Sequence, residues 1–419
     1  MTPEIIFQEL LGLGQNWVVE QCIHEGSPGK IVIRVKETEH LWDTEKCPKC
    51  SGKVSCYDHT EPLRWRHLNC FEHECEIECR LPRGRCKECG HTYRVQPPWE
   101  GKSKHFTKEF EAFTLLLARE MPIKKVGDIL KETDTRLWRM IIAHVEAAYR
   151  QADFSGVTCI GADELSRCRG HHFLTVFADL EKKRVLFATE GRDMSVWARF
   201  CEELLRHNAK AEDIRTISID MSQAYVAGIY INCPNAKKVF DKFHIIAAVN
   251  KAVDDVRRTE MRKAGCEARE MLNKSRWLWL KNPTNLTEPE TERMGRMDLQ
   301  NLCTAKAYQM RLTLQDIYAI TDPLLAKRKM LAWCRWVLNV ARRRATTMYA
   351  SMVRCVKMIQ RHLDGVLAYW DCRVTNGFME GLNSVFSAVK RKARGYRNPL
   401  YLKAILYFVA GKLQIPATH

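Results

Sequence analysis

The sequence predicts an α/β protein in which smaller domains precede a core built on a mixed sheet. Cysteine pairs and strand-like segments fill residues 1–98, and helical periodicity replaces them after Pro97-Pro98. From Val157 onward, short β-branched or aromatic segments alternate with amphipathic stretches. Such alternation is typical of a sheet covered by helices. These changes of pattern along the chain therefore predict separate domains.

Composition limits the classes of protein that fit. The chain has 419 residues, 46% of them hydrophobic, and 67 Lys+Arg against 50 Asp+Glu give a net charge of +17. This size suits two or three domains, and the charge favours a polyanion such as nucleic acid as partner over a basic protein without one. No apolar stretch reaches the roughly 18 to 20 residues of a membrane span, and Glu4 and Glu9 are unlike a signal peptide. We expect no membrane association and a cytoplasmic location.

Two CxxC pairs stand out among the eighteen cysteines: Cys47 with Cys50, and Cys86 with Cys89. Each pair precedes a glycine, as in a turn whose amides point at thiolate sulfurs. Without a secretory signal these thiols should be reduced. The pairs therefore predict a structural Zn²⁺ site with four cysteine ligands in a module spanning residues 1–98.

The 35 residues between the pairs are enough for a β-hairpin, which the alternation over residues 65–81 predicts. The hairpin contains further cysteines. The four remaining thiols between the pairs, Cys56, Cys70, Cys75 and Cys79, are expected in strands or the core, with the alternative that Cys75 or Cys79 replaces a knuckle ligand.

Residues 99–152 predict three short amphipathic helices. The polar residues 132–135 offer an N-cap before the third. The pattern favours a helix-turn-helix domain, with ordinary packing of three helices as the alternative. Thr135, Arg136 and Arg139 then lie on the early turns of the recognition helix and are expected to contact DNA.

The following region predicts a mixed sheet and then a long helical part. Strands are expected at residues 157–162, 172–177, 184–188, 215–219 and 237–240, and helices at 196–205 and 223–230. From residue 244 to about 365 the pattern is helical. We place the core at residues 153–258 and 369–419 and a helical insertion at 259–368.

Two predicted strands end in acids, Asp163 and Asp220, so neighbouring strands would present both carboxylates at one edge of the sheet. Carboxylates at such an edge repel each other unless a divalent cation such as Mg²⁺ binds between them. Glu380, at the start of a predicted helix, is the candidate third ligand. Singly, each acid also fits a turn or the N-terminal end of a helix.

The order of these parts resembles the ISL-three family of bacterial insertion-sequence transposases. Five regions carry the resemblance: residues 47–50 (Cys-Pro-Lys-Cys), 161–164 (Gly-Ala-Asp-Glu), 218–222 (Ser-Ile-Asp-Met-Ser), 241–244 (Asp-Lys-Phe-His), and 376–383 (Asn-Gly-Phe-Met-Glu-Gly-Leu-Asn) with the basic residues 390–397. They extend over nearly the whole chain.

The resemblance implies a ribonuclease-H-like catalytic core with a DDE triad, interrupted by an all-helical insertion. Asp163, Asp220 and Glu380 match the three acids, with Glu164 as a less favoured substitute for the first. The triad would hold two Mg²⁺ (or Mn²⁺) ions about 3.5 to 4 Å apart. Asp241 and His244 match a motif to which we assign a supportive role.

The implied function is DNA transposition, in which the enzyme binds the terminal inverted repeats of its element, cleaves a strand and joins it to target DNA. We expect a homodimer on double-stranded DNA, associated with the bacterial nucleoid. Two alternatives are a non-catalytic zinc and helix-turn-helix regulator, and a nuclease that cleaves without joining.

The C-terminal segment adds a candidate DNA-binding surface. Residues 381–419 contain no acidic residue. Phosphate contacts are expected from the basic residues of its first part: Lys390, Arg391, Lys392, Arg394 and Arg397.

Overall fold

A computed structural model describes residues 2–26, 29–168, 172–297, 302–343 and 347–415. The chain forms two compact units. The first comprises Met1–Ala152 and Ala388–His419, and the second comprises Asp153–Ser387. None of the helices in the described ranges combines the length and the apolar content that a membrane span requires.

The first unit begins with two small sheets. A four-stranded sheet has the order β1-β2-β5-β4, and a three-stranded sheet has the order β3-β6-β7. The hairpin predicted between the cysteine pairs is β4–β5. The elements are α1 (Pro3–Leu10), β1 (Trp17–Glu25), β2 (Lys30–Glu37), α2 (His40–Thr44), β3 (Val54–His59), β4 (Leu63–Cys70), β5 (His73–Cys79), β6 (Pro82–Cys86) and β7 (Thr92–Arg94).

Aromatic side chains form the core of the four-stranded sheet. Trp99 packs edge-on against both Trp17 and Trp65, with ring centroids 5.0 and 5.9 Å away. Cys75 and Cys79 are buried in the same core. These two thiols therefore lie in strand β5, as expected, among apolar neighbours.

Three helices follow in the same unit: α3 (Lys108–Glu120), α4 (Ile123–Leu130) and α5 (Asp134–Arg150). The turn between α4 and α5 is tight. A Cβ on Gly127 would lie 2.6 Å from the Glu132 carbonyl oxygen, and Lys131 adopts a left-handed conformation with φ 55°. Buried Glu111 of α3 accepts a hydrogen bond from His144 of α5 at 2.8 Å and ties the helices together.

The second unit contains a five-stranded mixed sheet of order β10-β9-β8-β11-β12. Strands β8, β9 and β10 are antiparallel neighbours, whereas β11 runs parallel to both β8 and β12. The elements are β8 (Cys159–Cys168), β9 (His172–Asp179), β10 (Arg184–Glu190), α6 (Ser195–Arg206), a 3₁₀ turn (Ala211–Asp213), β11 (Thr216–Ile219), α7 (Gln223–Asn232) and β12 (Lys237–Phe240).

Helix α6 covers the sheet through aromatic packing. Phe200 of α6 stacks on Phe177 of β9 at 4.2 Å, and Trp197 meets the same ring edge-on at 5.0 Å. All three side chains are fully buried. Strands β9 to β12 and both helices lie within a few residues of their predicted segments, whereas β8 extends six residues beyond its predicted end.

The regular elements among the described residues from 242 to 372 are helices. The elements are α8 (Lys242–Lys263), α9 (Cys266–Leu272), α10 (Arg276–Leu280), a 3₁₀ turn (Pro283–Asn285), α11 (Glu288–Gly295), α12 (Cys303–Ala319), α13 (Pro323–Arg343), α14 (Ala350–Arg361) and α15 (Leu363–Cys372).

Long helix α8 organises this helical part. Its buried face includes Val249, Val253 and Val256, whose spacing of three to four residues places them on one side of the helix. Buried Glu260 accepts hydrogen bonds from the backbone amides of residues 303 and 304, both at 2.7 Å, at the start of α12. These amides would otherwise be unsatisfied at the helix N-terminus.

The last two helices are α16 (Gly377–Lys392) and α17 (Pro399–Ala410). The sequence predicts that residues 369–419 belong to the catalytic core. In the structure, residues from Ala388 onward belong to the first unit, where α17 packs on α5. Trp138 of α5 stacks on Tyr401 of α17, with ring centroids 4.3 Å apart.

Candidate functional site

The four predicted zinc ligands converge in the first unit. The Sγ–Sγ distances are 3.7 Å for Cys47–Cys89 and 3.4 Å for both Cys50–Cys86 and Cys50–Cys89. All four sulfurs lie within 4.8 Å of one another. A tetrahedral Zn–S bond of about 2.3 Å implies sulfurs roughly 3.8 Å apart. The cluster thus has the dimensions of a zinc site.

Backbone turns aim amides at these sulfurs. The amide of Lys49 donates to Cys47 Sγ at 3.4 Å, and that of Glu88 donates to Cys86 Sγ at 3.4 Å. In the second turn, the glycine that follows the pair, Gly90, adopts a left-handed conformation with φ 69°. In the first turn Ser51, and not Gly52, takes this conformation, with φ 58°.

The cysteine thiols of the N-terminal module differ in pKa. Amide hydrogen bonds, first that of Cys89, lower the pKa of Cys86 to about 6. The Gly52 amide lowers the pKa of Cys50, but the neighbouring sulfurs of Cys86 and Cys89 raise it to about 12. Burial raises the pKa of Cys75 and Cys79 to about 12. The latter two are neutral core thiols outside the knuckle cluster.

Three aspartates mark one edge of the mixed sheet in the second unit. Ser218 pairs with Gly161 of β8, and Ile219 pairs with Phe240, so β11 and β12 end level with each other. Asp220 follows β11 directly and Asp241 follows β12 directly. Continuing the register of β8 and β11 by two residues sets Asp163 beside Asp220.

The prediction that a strand ends at Asp163 is wrong. Strand β8 continues to Cys168 because β9 pairs with it along its whole length, whereas β11 pairs only as far as Gly161. Asp163 therefore lies within β8, at the point where its parallel partner ends. The expected proximity of Asp163 and Asp220 depends on this sheet edge and not on a strand end.

Helix α16 packs its first turn against β8. A Cβ on Gly161 would lie 2.9 Å from Asn376 Oδ1 and 3.0 Å from Met379 Cγ. The absence of a side chain at Gly161 lets the helix approach. Glu380, in the first turn of α16, is thereby brought towards Asp163 despite more than 200 intervening residues.

The charges of these groups affect one another. Burial raises the pKa of Asp163, and the charge of Asp220 raises it further. Burial also raises the pKa of Glu380, followed by the charge of Asp241 and, more weakly, that of Asp163. The pKa of Asp241 is raised by burial and by Asp163. Asp163 thus lies at the centre of a cluster of acids.

The cluster is looser than the cysteine site. Among the described residues, no three of these acids and His244 bring ligand atoms within 4.8 Å of one another. His244 is exposed, with its Nε2 4.0 Å from Asp241 Oδ2. Asp220 is held by the Ser222 amide, which donates to Oδ1 at 3.0 Å.

Two asparagines that the sequence analysis gave no role also belong to this cluster. Asn383 Nδ2 donates to Asp163 Oδ2 at 2.7 Å. Asn376 is 1% exposed, and its backbone N–H donates to Asp241 Oδ1 at 3.4 Å. Both asparagines lie in the motif around Glu380, one at each end. The placement of an asparagine on either side of this acid is the sequence signal that points to their role.

The donor chemistry of the cluster fits a divalent cation. Asp241 Oδ2 and Asn376 Oδ1 are buried oxygens without a hydrogen-bond partner in the described part of the chain. Buried carboxylate oxygens are costly unless they are paired or bind a metal. With Asp163, Asp220 and Glu380, they offer the oxygen ligands that hard cations prefer.

Helix α5, which the sequence predicts to be the recognition helix, presents its predicted contact residues differently. Thr135 and Arg139 are exposed. Arg136 Nη1 lies 2.7 Å from Glu132 Oε2, and its guanidinium lies over the Phe106 ring at 4.8 Å. Arg136 is therefore tied to the protein itself, whereas Thr135 and Arg139 face solvent.

The basic residues 390–397 lie at the end of α16 and in the following turn of the first unit. Arg391, Lys392, Arg394 and Arg397 are exposed. Lys392 Nζ donates to the Glu120 carbonyl oxygen of α3 at 3.4 Å, and Lys390 is half-buried. This basic segment thus packs beside the helices that include α5.

Comparison with known proteins extends these observations. A transposase family profile matches residues 160–406, a helix-turn-helix profile of transposase family ISL3 matches residues 95–145, and a transposase zinc-finger profile matches residues 43–89. The transposase for insertion sequence element IS1001 of Bordetella parapertussis is 26% identical over 399 residues, covering 94% of this chain and 95% of the relative. The transposase for element IS1557 of Mycobacterium tuberculosis is 24% identical over 449 residues, covering 99% and 97%.

The fold and site thus define a DDE transposase, a metal-dependent enzyme that cleaves and joins DNA. Its modules are a zinc ribbon, a helix-turn-helix domain that binds DNA, and a catalytic domain that covers more than half of the sequence. The chain belongs to the ISL3 family of insertion-sequence transposases. The non-catalytic regulator considered as an alternative does not account for the catalytic domain.

Proposed function

We propose that Asp163, Asp220 and Glu380 are the DDE triad of this transposase and bind its divalent cations, Mg²⁺ or Mn²⁺. The observation that supports this proposal is the geometry at the sheet edge, where the register of β8 and β11 sets Asp163 beside Asp220 and Asn383 of α16 donates to Asp163 Oδ2 at 2.7 Å. Acids so far apart in sequence gather at a cost in repulsion that a bound cation offsets. Asp241 and His244 border this group and support it.

When bound, divalent cations supply an activated water and stabilise the leaving 3′ oxygen. The chain itself positions the carboxylates. The Asn383 amide fixes one oxygen of Asp163 at 2.7 Å, and the Glu164 backbone amide holds the other at 2.8 Å. The ligand is thus oriented before the cation arrives, which lowers the cost of assembling the site. Mg²⁺ is favoured because every proposed ligand is an oxygen.

We propose that DNA recognition is divided between two surfaces of the first unit. Thr135 and Arg139 of α5 contact bases or phosphates of the terminal inverted repeats, and Arg136 orients that helix through Glu132. The exposed basic residues of the segment 390–397 neutralise phosphates. A net charge of +17 supports salt-sensitive binding of this kind.

The mixed sheet supports a ribonuclease-H-like core. Three antiparallel strands are followed by two that run parallel to β8, with the acids where the parallel strands end. We propose the zinc module at residues 1–98, the helix-turn-helix domain at 99–152, the core at 153–258 and 369–419, of which the residues from Ala388 onward pack within the first unit, and the helical insertion at 259–368. Limited proteolysis is expected to cut in the turn near residue 152, and not at 258 or 368, which lie inside α8 and α15.

We also propose that the enzyme acts as a homodimer in the bacterial cytoplasm, on nucleoid DNA. Transposition must bring two element ends together, and one copy of the chain at each end meets that need. Light scattering of the complex with inverted-repeat DNA should give two chains per pair of ends. A complex with one chain for two ends contradicts the dimer.

Labelled terminal-repeat DNA tests the triad. With Mg²⁺, the wild type should nick the repeat at the element end and join the 3′ end to target DNA. Asp220→Asn should abolish both products while repeat binding stays within about twofold, because only the cation ligand is lost. Asp213→Asn, the same exchange at an exposed site before β11, is the matched control and should cleave normally.

Two results decide against the proposal. Normal nicking by Asp220→Asn removes that residue from the triad. Nicking without any joined product from the wild type identifies a nuclease and not a transposase.

A further inference from the structure

We propose that Glu37, Cys56 and His59 form a second zinc site in the N-terminal module, separate from the four-cysteine knuckle cluster. The nitrogen, sulfur and carboxylate donors of the three side chains lie within 4.8 Å of one another. Neither the DDE chemistry nor the knuckles use these residues. Their convergence therefore calls for its own explanation.

A β-bulge in β3 produces the convergence. Cys56 and His59 are three positions apart, and in a regular strand residues with an odd separation point to opposite faces. Strand β3 pairs with β6 as Cys56 with Gly84 and Asp58 with Arg83, so Tyr57 is the extra residue. A bulge of this kind re-aims the following side chains and can bring two such positions to one face.

The third donor comes from the other sheet of the module. Glu37 is the last residue of β2, and its side chain is largely buried at 15% exposure. His59 Nε2 lies 2.6 Å from Glu37 Oε1. Two elements from different sheets thus supply ligands to a single point.

The donor set selects the class of cation. Zn²⁺ binds imidazole, thiolate and carboxylate together, whereas Mg²⁺ and Ca²⁺ avoid sulfur. Three protein ligands leave a fourth position for water. His59 and Cys56 are exposed, so an ion can reach them from solvent. On binding, the short hydrogen bond between His59 and Glu37 opens, because both atoms become ligands.

A simple ion pair between His59 and Glu37 accounts for two of the three groups. It leaves the thiol without a role, and it predicts no metal. A zinc ion bound by all three groups links β2 of the four-stranded sheet to β3 of the three-stranded sheet. This link stabilises the module independently of the four-cysteine knuckle cluster. The two explanations differ in zinc stoichiometry.

Zinc content of the full chain is the test. We use the Asp163→Asn, Asp220→Asn background, so that the proposed catalytic acids bind no zinc. After equilibration with limiting free Zn²⁺, this protein should hold two zinc ions. His59→Asn and Cys56→Ser should each hold one. His40→Asn, an exposed histidine outside the cluster, is the matched control and should retain two.

Cobalt provides the second measurement. With Co²⁺ replacing zinc, titration of the background protein should proceed in two steps, and Cys56→Ser should lose only the thiolate-to-cobalt absorption of the weaker step. The knuckle signal reports that each variant is folded. Glu37→Gln should weaken the second step by at least tenfold and leave the first unchanged.

One zinc ion in the background protein, with the knuckles saturated, overturns the proposal. Two ions retained in both His59→Asn and Cys56→Ser overturn it equally. If a variant loses both ions by unfolding, the two-step cobalt titration of the background protein decides, and a single step refutes the second site.

Discussion

Replacing Asn383 by leucine tests whether Asp163 is a positioned ligand. The side chains are similar in size, but leucine cannot donate the 2.7 Å hydrogen bond to Asp163 Oδ2. Asp163 is half-buried, so water replaces the lost donor only in part. Hydrogen bonds to charged groups contribute about 1.5 to 3 kcal/mol. Because about 1.36 kcal/mol corresponds to a factor of ten in rate, loss of that much transition-state stabilisation slows strand cleavage by about 10- to 150-fold.

The assay is single-turnover nicking of labelled terminal-repeat DNA at saturating enzyme, with the Mg²⁺ concentration varied. Asn383→Leu should lower the maximal rate, raise the Mg²⁺ concentration for half-maximal rate and leave repeat affinity unchanged. Ser384→Ala, at the next and exposed position of α16, is the matched control and should behave as wild type. Wild-type rate and Mg²⁺ dependence in Asn383→Leu would refute the positioning role, as would a loss caused entirely by weaker DNA binding.

Three further predictions concern packing, DNA binding and zinc. Gly161→Ala places a Cβ within 3.0 Å of three side chains and should lower the free energy of unfolding by about 1–3 kcal/mol. In Gly381→Ala the new Cβ meets nothing within 4 Å, so this control should not lower the melting temperature. Equal melting temperatures of the two variants contradict the close approach of α16. Arg139→Gln should weaken repeat binding without changing stability, and should reduce the slope of log affinity against log salt concentration by about 0.9. Arg136→Ala, which loses its ion pair with Glu132, should lower both DNA affinity and stability. An unchanged slope for Arg139→Gln contradicts a phosphate contact by Arg139. Cys47→Ser should lose the knuckle zinc and unfold the N-terminal module, measured by zinc content and circular dichroism, and a folded, zinc-loaded variant counts against that site.

Much of the fold follows from sequence pattern because local periodicity reports local structure. The sequence predicts strands β9 to β12 and helices α6 and α7 within a few residues. The CxxC pairs located the zinc ligands because two closely spaced thiols are informative by themselves. Where a residue type and its spacing carry the chemistry, the sequence is sufficient.

The remaining features depend on pairing between distant segments. The continuation of β8 past Asp163 is set by β9, and the approach of α16 to Gly161 brings together residues more than 200 positions apart. The extra residue Tyr57 in β3 becomes visible only in its register with β6. No local pattern encodes such registers, so the sequence could name the acids without giving the order in which they surround Asp163.

Equilibrium binding of Mn²⁺, followed by electron paramagnetic resonance in the presence of terminal-repeat DNA, tests most directly whether the gathered acids bind metal. The wild type should bind up to two Mn²⁺ ions per active site. Asp163→Asn, Asp220→Asn and Glu380→Gln should each bind fewer, or bind at least tenfold more weakly. Binding by all three variants that matches the wild type in number and affinity would contradict the account, because the ions would then be held elsewhere.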